Sequence, residues 1–419
     1  MENRKNVIVI GGGFAGVQFI ENLDEKLFNV TLLDKINHHQ FQPLFYQVAT
    51  SQLEPSSISF PFRKIFQNKK NVQIRLTEVT AINPETNTVH STIGDFTYDY
   101  LVIAAGCKTN FFGNKVIEEN AFTLKSTSDS IELRNHILIN FEKIIYASKE
   151  EQEALYNIVI VGGGPTGVEL AGAFAEIQKH ILPKDYPGID FSRLKIIIIE
   201  GSPNTLNSMS DLAHTASRMY LEKLGVEIHT QLVVKDYDGK RAVLSDGKII
   251  PTSNLIWAAG VTSNTFEGLD ASVYAHSNRM KVDRTNLVQG YKNVYAVGDI
   301  AYMETPKYPK GHPQLANVAT NQAKTLAKNL KAIQTKKELK EFEYKDLGSM
   351  ATIGKNKAVV DLPFIKFKGI LAWFTWMFVH LMLILSVKNK LIIFINWAWA
   401  YFTKDTSLRL ILTQKKKNM

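Results

Sequence analysis

The earliest residues in the chain that could do chemistry are three glycines, Gly11, Gly13 and Gly16, which follow the apolar run NVIVI with the spacing G-x-G-x-x-G. In this arrangement one glycine makes a tight turn, one lets the backbone approach a pyrophosphate, and one lets a helix pack on the strand. The helix N-terminus then offers N–H groups and positive partial charge to phosphate oxygens. The next predicted strand, NVTLLD, ends at Asp34, which is placed to accept hydrogen bonds from a ribose. Strand, glycines, helix and acid together predict a dinucleotide site rather than an ordinary turn.

A second cluster, Gly162, Gly164 and Gly167, repeats the pattern after the apolar run NIVIV. The later strand LKIIIIEG places Glu200 at its end, and a carboxylate there favours NADH because it repels a 2′-phosphate. The segment before that strand is longer than usual, and its two prolines predict a loop after the helix. Two such units predict two dinucleotides with electrons passing between them. A duplication that left one site inactive is the alternative.

Composition limits the class of protein. A chain of 419 residues with 45% apolar residues predicts two or three folded domains and excludes a disordered chain. A mean hydropathy of −0.09 excludes a polytopic membrane protein. The net charge of +9 is not gathered in one basic run, so nucleic acid is not the favoured partner. Cys107 is the single cysteine, which excludes a disulfide framework and favours a reducing compartment. A predicted strand starts at once, so we expect no signal peptide.

The C-terminal region holds an apolar stretch, ILAWFTWMFVHLMLILSV at residues 370–387, followed by the shorter LIIFINWAWAYF at 391–402. As helices of about 27 Å and about 18 Å they could reach across a bilayer once but not return. Basic residues flank both stretches, and this pattern favours one surface over a crossing; they are Lys366, Lys368, Lys388, Lys390, Lys404, Arg409 and Lys415 to Lys417. Aromatic residues suited to a membrane interface are Trp373, Trp376, Trp397, Trp399 and Tyr401. We therefore predict two amphipathic helices lying on a membrane through 369–412, with a single crossing or a soluble dimer contact as alternatives.

Several quoted stretches resemble a known family. YDYLVIAAG, LIWAAG and NVYAVGDIA are similar to the nucleotide-facing strand ends and second FAD motif of the two-dinucleotide-domain FAD/NAD-linked reductases. Within that group HHQFQPLFYQVATS, GGGPTGVELAG, HPQLANVATNQA and FINWAWAYF resemble segments of type II NADH dehydrogenases, the single-subunit, non-proton-pumping NADH:quinone oxidoreductases. The resemblance covers essentially the whole chain in order.

The resemblance implies an α/β fold class: two doubly wound Rossmann-like dinucleotide-binding domains plus a C-terminal amphipathic-helix membrane module. It implies FAD and NADH as cofactors and a domain order of 1–118 for the first part of the FAD domain, 119–280 for the NADH domain, 281–345 for the second part of the FAD domain and 346–419 for the membrane module. The predicted FAD residues are Gly11, Gly13, Phe14, Ala15, Gly16, Asp34, Lys35, Gln47, Thr50, Ala105, Gly106, Gly298, Asp299, Leu315 and Ala316. The predicted NADH residues are Gly162, Gly164, Pro165, Thr166, Gly167, Glu169, Glu200, Ala259 and Gly260. The predicted quinone residues are Gln47, Asn317 and Asn321.

Some of these roles have competing interpretations. Glu169 is expected in the first turn of its helix, where it would serve either at the nicotinamide, as the resemblance implies, or simply beside the positive end of the helix dipole. Asp299 is either an FAD ligand or a helix N-cap. The family commonly has two glutamines where this chain has Asn317 and Asn321, and an asparagine side chain reaches about one methylene less far.

The predicted activity is oxidation of NADH by hydride transfer to FAD, followed by reduction of a membrane quinone without proton pumping, at the cytoplasmic face of the membrane. Cys107 alone cannot support a disulfide or sulfide chemistry and is expected to be a packed small residue. No metal site is predicted, and His180 and His380 are candidates for proton supply by residue type only. A redox sensor without turnover and a soluble NADH oxidase or diaphorase are the alternatives, and a homodimer is left open.

Overall fold

The chain folds into two units, each assembled from separate stretches of sequence. The computed structural model describes residues 4–405 and 408–412. Of these, the first unit takes the residues within Met1–Gln40, Phe60–Lys108 and Val261–Asp346. The second takes those within Phe41–Ser59, Thr109–Gly260 and Leu347–Met419. The domain boundaries drawn from the sequence at 118, 280 and 345 stay a prediction.

Most of the described helices begin after a glycine, a proline or a capping side chain. Ser126 and Ser148 cap two of them, and Ser148 forms a reciprocal capping box with Glu151. The described α-helices are α1 (Phe14–Asn22), α2 (Phe45–Ala49), α3 (Phe62–Ile65), α4 (Lys115–Asn120), α5 (Thr127–Ile144), α6 (Lys149–Tyr156), α7 (Pro165–His180), α8 (Leu182–Asp185), α9 (Asp211–Lys223), α10 (Ala316–Gln334), α11 (Ile370–Leu383) and α12 (Val387–Thr403).

Strands form where β-branched and aromatic residues run between turn residues. The described strands are β1 (Lys5–Ile10), β2 (Phe28–Asp34), β3 (His38–Gln40), β4 (Ser59–Pro61), β5 (Val72–Leu76), β6 (Val79–Asn83), β7 (Thr88–Ser91), β8 (Gly94–Thr97), β9 (Tyr100–Ile103), β10 (Lys108–Thr109), β11 (Asn157–Val161), β12 (Lys195–Glu200), β13 (Glu227–Thr230), β14 (Val234–Tyr237), β15 (Arg241–Leu244), β16 (Ile249–Pro251), β17 (Asn254–Trp257), β18 (Val261–Thr262), β19 (Met280–Lys281), β20 (Val294–Ala296), β21 (Ala301–Tyr302), β22 (Ser349–Thr352), β23 (Ala358–Asp361) and β24 (Lys366–Lys368).

The first unit is built on a parallel sheet of order β20-β9-β1-β2-β5. A parallel sheet must be covered on both faces, and Val7 to Ile10 of β1 are accordingly all buried. Phe19 of α1 and Leu326 of α10 belong to the core on one face, and Val89 of the antiparallel β6-β7-β8 sheet belongs to the core on the other. The carboxyl ends of β1, β2 and β9 therefore lie at one edge, beside the first glycine cluster.

The second unit contains a parallel sheet of order β13-β12-β11-β17. Helix α7 packs on β11 and β12, and the antiparallel β14-β15-β16 sheet contributes Val234 and Tyr237 to the core on the opposite face. A second antiparallel sheet, β22-β23-β24, packs against α7, α9 and α11. The predicted doubly wound α/β architecture is confirmed in both units.

The segment after α7 departs from the expected loop. Helix α7 runs on to His180, and Pro183 lies in the first turn of the short helix α8, where its missing N–H costs no hydrogen bond. Gln178 then donates from Nε2 to the carbonyls of Phe191 and Leu194, both at 2.8 Å, which fastens the returning chain to the helix. Pro183 thus starts a short helix, while Pro187 lies in the turn that follows it.

The C-terminal apolar region forms two helices. Gly369 has φ +88° and precedes α11, which ends at Leu383, so the apolar run 370–387 is divided before α12 starts at Val387. Among the described residues, no helix is both long enough and apolar enough to cross a membrane.

Candidate active site

The first glycine turn lies in the first unit and has the geometry that its spacing predicts. Gly11 has φ +98°, and a Cβ there would lie 2.5 Å from the carbonyl oxygen of Ala104. A Cβ on Gly16 would lie 1.9 Å from the carbonyl oxygen of Gly11, so only glycine lets α1 pack this closely on the turn. A Cβ on Gly13, the N-cap of α1, would have no atom within 4 Å. The turn therefore keeps open space above its middle glycine, where a pyrophosphate fits.

The acid at the end of β2 holds the turn together. Asp34 accepts hydrogen bonds from the N–H of Gly12 at 2.6 Å and of Ile36 at 2.9 Å. Burial raises the pKa of Asp34, and these N–H donors oppose that shift. Lys35 lies at the surface, paired with Glu78 at 2.5 Å. The roles of Asp34 and Lys35 toward FAD stay predictions.

A second turn of the first unit contains the predicted FAD residue Gly298. Gly298 has φ +78°, and a Cβ there would lie 3.2 Å from the Cβ atoms of Ala15 and Ala319. Its N–H donates to Gln322 at 2.8 Å, a contact that the sequence did not reveal. Gly106 also has positive φ, and α10 starts at Ala316 after Leu315 without a side-chain cap.

Cys107 is half-buried rather than packed, which contradicts the expectation from sequence. Its Sγ–H donates to Asp299 Oδ2 at 3.1 Å, so the thiol lies beside the predicted FAD carboxylate. The carbonyl of Asp299 accepts from Gln314 Nε2 at 3.1 Å. The N-cap of the short 3₁₀ turn at Gly298–Ile300 is Val297, so Asp299 does not cap that turn.

The second glycine turn, in the second unit, repeats the geometry of the first. A Cβ on Gly167 would lie 1.9 Å from the carbonyl oxygen of Gly162, whereas a Cβ on Gly164 would have no atom within 4 Å. Glu200 at the end of β12 accepts from the N–H of Gly163 at 2.5 Å and of Ser202 at 2.6 Å. The other predicted NADH residues of this unit are Pro165 and Thr166 in the first turn of α7, and Ala259 and Gly260 after β17.

A cavity of about 140 Å³ lies wholly within the second unit. Its walls come from the α2 region, from one face of α7, from the turn after β22 and from α11 and α12. The lining residues include Tyr46, Gln47, Gln52, Glu169, Ala173, Glu176, Ile177, His180, Thr352, Lys355, Trp373, Trp376, Met377, Trp397 and Tyr401. Apolar and aromatic walls with a few polar groups are typical of small-molecule sites.

Glu169 is the buried acid of this cavity. Its Oε1 accepts from the indole Nε1–H of Trp376 at 3.1 Å and from the N–H of Thr352 at 3.3 Å. Burial raises its pKa to about 8, although both hydrogen bonds oppose the shift. Helix α7 starts at Pro165, so Glu169 lies in the second turn, and the first-turn expectation was wrong. A buried carboxyl that binds its proton near neutral pH suits proton exchange better than interaction with the helix dipole.

Gln47 is held between two aromatic side chains. Its Oε1 accepts from the indole Nε1–H of Trp397 at 2.8 Å, and its Nε2 donates to the hydroxyl of Tyr46 at 2.9 Å. Thr50 Oγ1 donates to the carbonyl of Tyr46 at 2.8 Å and so closes the end of α2. Sequence analysis gave no role to Tyr46 or Thr352 and assigned Trp376 to the membrane interface instead of to this cavity.

The asparagines that replace the usual glutamines lie on α10 in the first unit. Asn321 Nδ2 donates to Asn317 Oδ1 at 2.6 Å, so each short amide has a partner one helical turn away. The cavity residues Gln47 and Glu169 belong to the second unit. A quinone role for Asn317 and Asn321 stays a prediction.

The C-terminal region exposes many large apolar side chains. Residues more than half exposed include Phe364, Leu371, Phe374, Phe378, Leu391, Ile395, Trp399 and Phe402. Two of the predicted interface residues behave otherwise. Trp376 is buried, with 2% of its surface exposed. Its ring stacks on that of His380, and its indole N–H donates a hydrogen bond to Glu169. Arg409 is paired with Asp185 and Asp405, so it is not available to lipid headgroups as expected. The basic residues Lys415 to Lys417 lie outside the described residues.

The two histidines differ in their environments. His380 Nδ1 lies 2.8 Å from the carbonyl of Trp376, and burial lowers its pKa to about 4. His180 lines the cavity with its Nε2 3.4 Å from Glu176 Oε2. Its pKa is lowered by partial burial, which outweighs the opposing effect of Glu176. With a pKa of about 4, His380 stays neutral at physiological pH.

Comparison with known proteins gives matches over nearly the whole chain. The pyridine nucleotide-disulphide oxidoreductase family matches residues 5–323, and the NDH2 C-terminal domain matches residues 347–404. The type II NADH:quinone oxidoreductase Ndh of Mycobacterium tuberculosis is 34% identical over 96% of this chain and 89% of its own length. The type II NADH:quinone oxidoreductase of Staphylococcus aureus is 28% identical over 85% of this chain and 90% of its own length.

Solved structures support the fold. NDH2 from Plasmodium falciparum, solved in complex with NADH, has a TM-score of 0.90 at 24% identity and covers 98% of this chain and all of its own. The sulfide:quinone oxidoreductase of Aquifex aeolicus has a TM-score of 0.72 at 20% identity, with 92% of each chain covered.

Proposed function

The chain belongs to the type II NADH:quinone oxidoreductase family, and on that premise we propose that its second-unit cavity is where a membrane quinone is reduced. The protein is an FAD-dependent NADH dehydrogenase that does not pump protons. The quinone contacts, the residues that bind each cofactor and the side of the membrane are parts of the proposal.

The two glycine turns fit the two dinucleotides. Each turn has two glycines whose Cβ would clash with backbone and a middle glycine with open space above it. The first turn, with Asp34, Gly298 and Asp299, would hold FAD; the second, with Glu200, would hold NADH and disfavour a 2′-phosphate. A bound FAD would supply the redox chemistry between NADH and a quinone, as a hydride acceptor and an electron donor. The protein supplies position and electrostatics, and the family's nicotinamide-site role falls to Glu169.

The observation that carries the quinone proposal is the hydrogen bond between Trp376 and Glu169. It joins the region that matches the NDH2 C-terminal domain to the helix that follows the proposed NADH turn. The resulting cavity has apolar walls suited to a quinone ring and its isoprenoid tail. Its buried carboxyl, with a pKa of about 8, can hold a proton at neutral pH for the quinone oxygen.

The exposed surface of α11 and α12 suits binding to a membrane surface. Largely exposed residues of these helices, such as Leu371, Phe378 and Phe402, are costly in water and favourable at an acyl-chain boundary. Lys366, Lys368, Lys388 and Lys390 lie beside these residues in sequence, and anionic headgroups attract such lysines. We assign the protein to the cytoplasmic face, because the basic residues favour the anionic leaflet.

The activity is tested by steady-state turnover of the purified holoprotein with NADH and a short-chain benzoquinone. We expect many turnovers per flavin, with quinol formed in equal amount to NADH consumed. A single turnover that stops after flavin reduction would instead identify a redox sensor. Turnover with oxygen alone, and none with quinone, would identify a soluble oxidase.

Membrane binding is tested by flotation with vesicles containing anionic lipid. The variant Leu371→Gln/Phe378→Gln/Phe402→Gln should lose most vesicle binding while keeping flavin. The control Ile145→Gln/Tyr146→Gln changes exposed apolar residues far away in sequence, on the second unit, and should bind as wild type does. If the triple variant stays on vesicles but no longer self-associates, these helices form a dimer contact rather than a membrane surface.

A further inference from the structure

The cavity contains a chain of hydrogen bonds whose direction can be deduced. The indole Nε1–H of Trp397 lies 2.8 Å from Gln47 Oε1, and Gln47 Nε2 lies 2.9 Å from the hydroxyl oxygen of Tyr46. All three side chains line the cavity, and Tyr46 and Gln47 are buried. The chain joins α12 to α2 within the second unit.

An indole N–H can only donate, so the partner atom on Gln47 must be its oxygen. The amide nitrogen of Gln47 therefore points to Tyr46 and donates to the hydroxyl oxygen. Tyr46 accepts that bond, and its own hydrogen must point elsewhere. Among the described residues, none accepts this hydrogen. The network thus aims one buried O–H donor without a protein acceptor at the cavity.

The surroundings of this donor indicate the ligand chemistry. Trp376 and Trp397 have ring centroids 5.7 Å apart and form an aromatic wall, and Tyr46 lies 6.4 Å from Trp376. A flat, largely apolar ring with a carbonyl oxygen would lie against this wall and accept from the hydroxyl. A saturated lipid tail would fill the space but leave the O–H without an acceptor, which is costly when buried.

We propose that Tyr46 donates a hydrogen bond to a carbonyl oxygen of the bound quinone, and that Trp397 and Gln47 fix the direction of that donor. This inference rests on the proposed function, because it requires the cavity to be the quinone site. Tyr46 is a specificity-determining residue, and Gln47 and Trp397 are positioning residues that act through it.

Tyr46 acts as a hydrogen-bond donor and not as an acid. Burial raises its pKa well above the usual value, and the nearby Glu169 raises it further, so the phenol keeps its proton during turnover. A site built to donate to a substrate oxygen discriminates against acceptors that lack one. Small inorganic oxidants that take electrons from the flavin without entering the cavity do not need this contact.

The direct test is Tyr46→Phe, which removes the hydroxyl and keeps the ring. We expect kcat/KM for a benzoquinone to fall about 10-fold, while ferricyanide reduction and bleaching of the flavin by NADH stay at wild-type rates. The matched control is Tyr98→Phe, because the Tyr98 hydroxyl is buried without a hydrogen-bond partner among the described residues. It should leave quinone turnover unchanged.

The positioning role is tested by Trp397→Phe and by the double variant with Tyr46→Phe. Without the indole N–H the Gln47 amide is free to turn, so we expect a loss of about 3-fold in kcat/KM for quinone. The double variant should be no worse than Tyr46→Phe alone, because the effect of Trp397 passes through the Tyr46 hydroxyl. Tyr98→Phe is again the control, since the buried Tyr98 hydroxyl has no hydrogen-bond partner among the described residues.

Three results would overturn the proposal. They are unchanged quinone kinetics in Tyr46→Phe, losses that simply add in the double variant, and an equal loss with ferricyanide. If Tyr46→Phe does not fold, Trp397→Phe alone decides the question, and unchanged quinone kinetics in that variant count against the proposal. Wild-type protein that fails to turn over with quinone at all would instead refute the proposed function, so the two failures are distinguishable.

Discussion

The two glycine turns are nearly identical in backbone geometry but differ in the side chains that their helices carry. In both, the third glycine would place a Cβ 1.9 Å from the carbonyl oxygen of the first. Two residues after that glycine, α1 has Gln18, whose amide bonds to Glu21 near the surface. Helix α7 has Glu169 at the same place, buried and bonded to Trp376.

This difference distinguishes the features that bind a dinucleotide from those that take part in the reaction. A glycine turn and an acid at a strand end are sufficient to hold a dinucleotide, and both units have them. Only the second helix also forms a wall of the cavity, and only there does a carboxyl have its pKa raised to about 8. The reaction with the final acceptor therefore depends on side chains added to a shared scaffold.

Replacing the third glycine of each turn by alanine should have the largest effect, because each change should weaken the binding of one cofactor and spare the other. Gly16→Ala should yield protein with little flavin, while Gly167→Ala should keep its flavin and weaken NADH binding by more than about 10-fold, because each Cβ would overlap backbone. Flavin content and the NADH dependence of flavin bleaching measure this. Gly188→Ala, with nothing within 4 Å of its Cβ, is the control and should match wild type. Loss of flavin in Gly167→Ala would contradict the assignment of the turns.

Glu169→Gln should change the pH dependence of stability. The carboxyl ionises near pH 4.5 in the unfolded chain but near pH 8 in the folded one, so its stabilising contribution is complete at low pH and is lost as pH rises through about 8. Glutamine does not titrate, so relative to wild type the variant should gain on the order of 3 kcal/mol in unfolding free energy between about pH 5 and pH 8. Urea denaturation across this range measures the gain.

The matched change in the first unit is Gln18→Glu, which introduces a carboxyl at the half-buried counterpart of Glu169. We expect a much smaller pH dependence from it, because solvent reaches this position. Equal pH profiles for Glu169→Gln and wild type would show that Glu169 titrates normally and that the two helices do not differ as described.

Glu200→Gln should alter the choice between NADH and NADPH. Removing the charge removes its repulsion of a 2′-phosphate, and we expect the NADH preference in kcat/KM to fall about 10-fold. The corresponding change Asp34→Asn should lower flavin retention without altering this preference. A preference unchanged in Glu200→Gln would place the adenosine ribose elsewhere.

Cys107→Ser should have the smallest effect. Serine keeps a donor for Asp299, so we expect quinone turnover to change by less than about 2-fold. Complete loss of turnover in a variant that retains flavin would show that the thiol takes part in the reaction, as in enzymes that use cysteine chemistry.

The backbone features could be predicted from sequence because local rules determine them. Gly11, Gly16, Gly162 and Gly167 are required by turns and close packing that any residue with a Cβ would disrupt. The glycine patterns indicated two dinucleotide units, the family resemblance implied their doubly wound architecture, and the two C-terminal helices were expected from the apolar stretches. Asp34 and Glu200 were located correctly at strand ends.

The cavity could not be predicted, because contacts distant in sequence create it. Glu169 is buried by Thr352 and Trp376, which lie 183 and 207 residues away, and Gln47 is oriented by Trp397, 350 residues away. Trp376 is of a residue type that is common at membrane interfaces, and only its packing shows that it closes the cavity instead. Tyr46 carried no signal beyond its place among aromatic residues beside Gln47.

The most direct test of the electron path is anaerobic absorption spectroscopy of the purified holoprotein. We predict that the flavin band bleaches on addition of NADH and returns when a benzoquinone is added. A band that NADH does not bleach, or a bleached band that ignores quinone, would contradict the account.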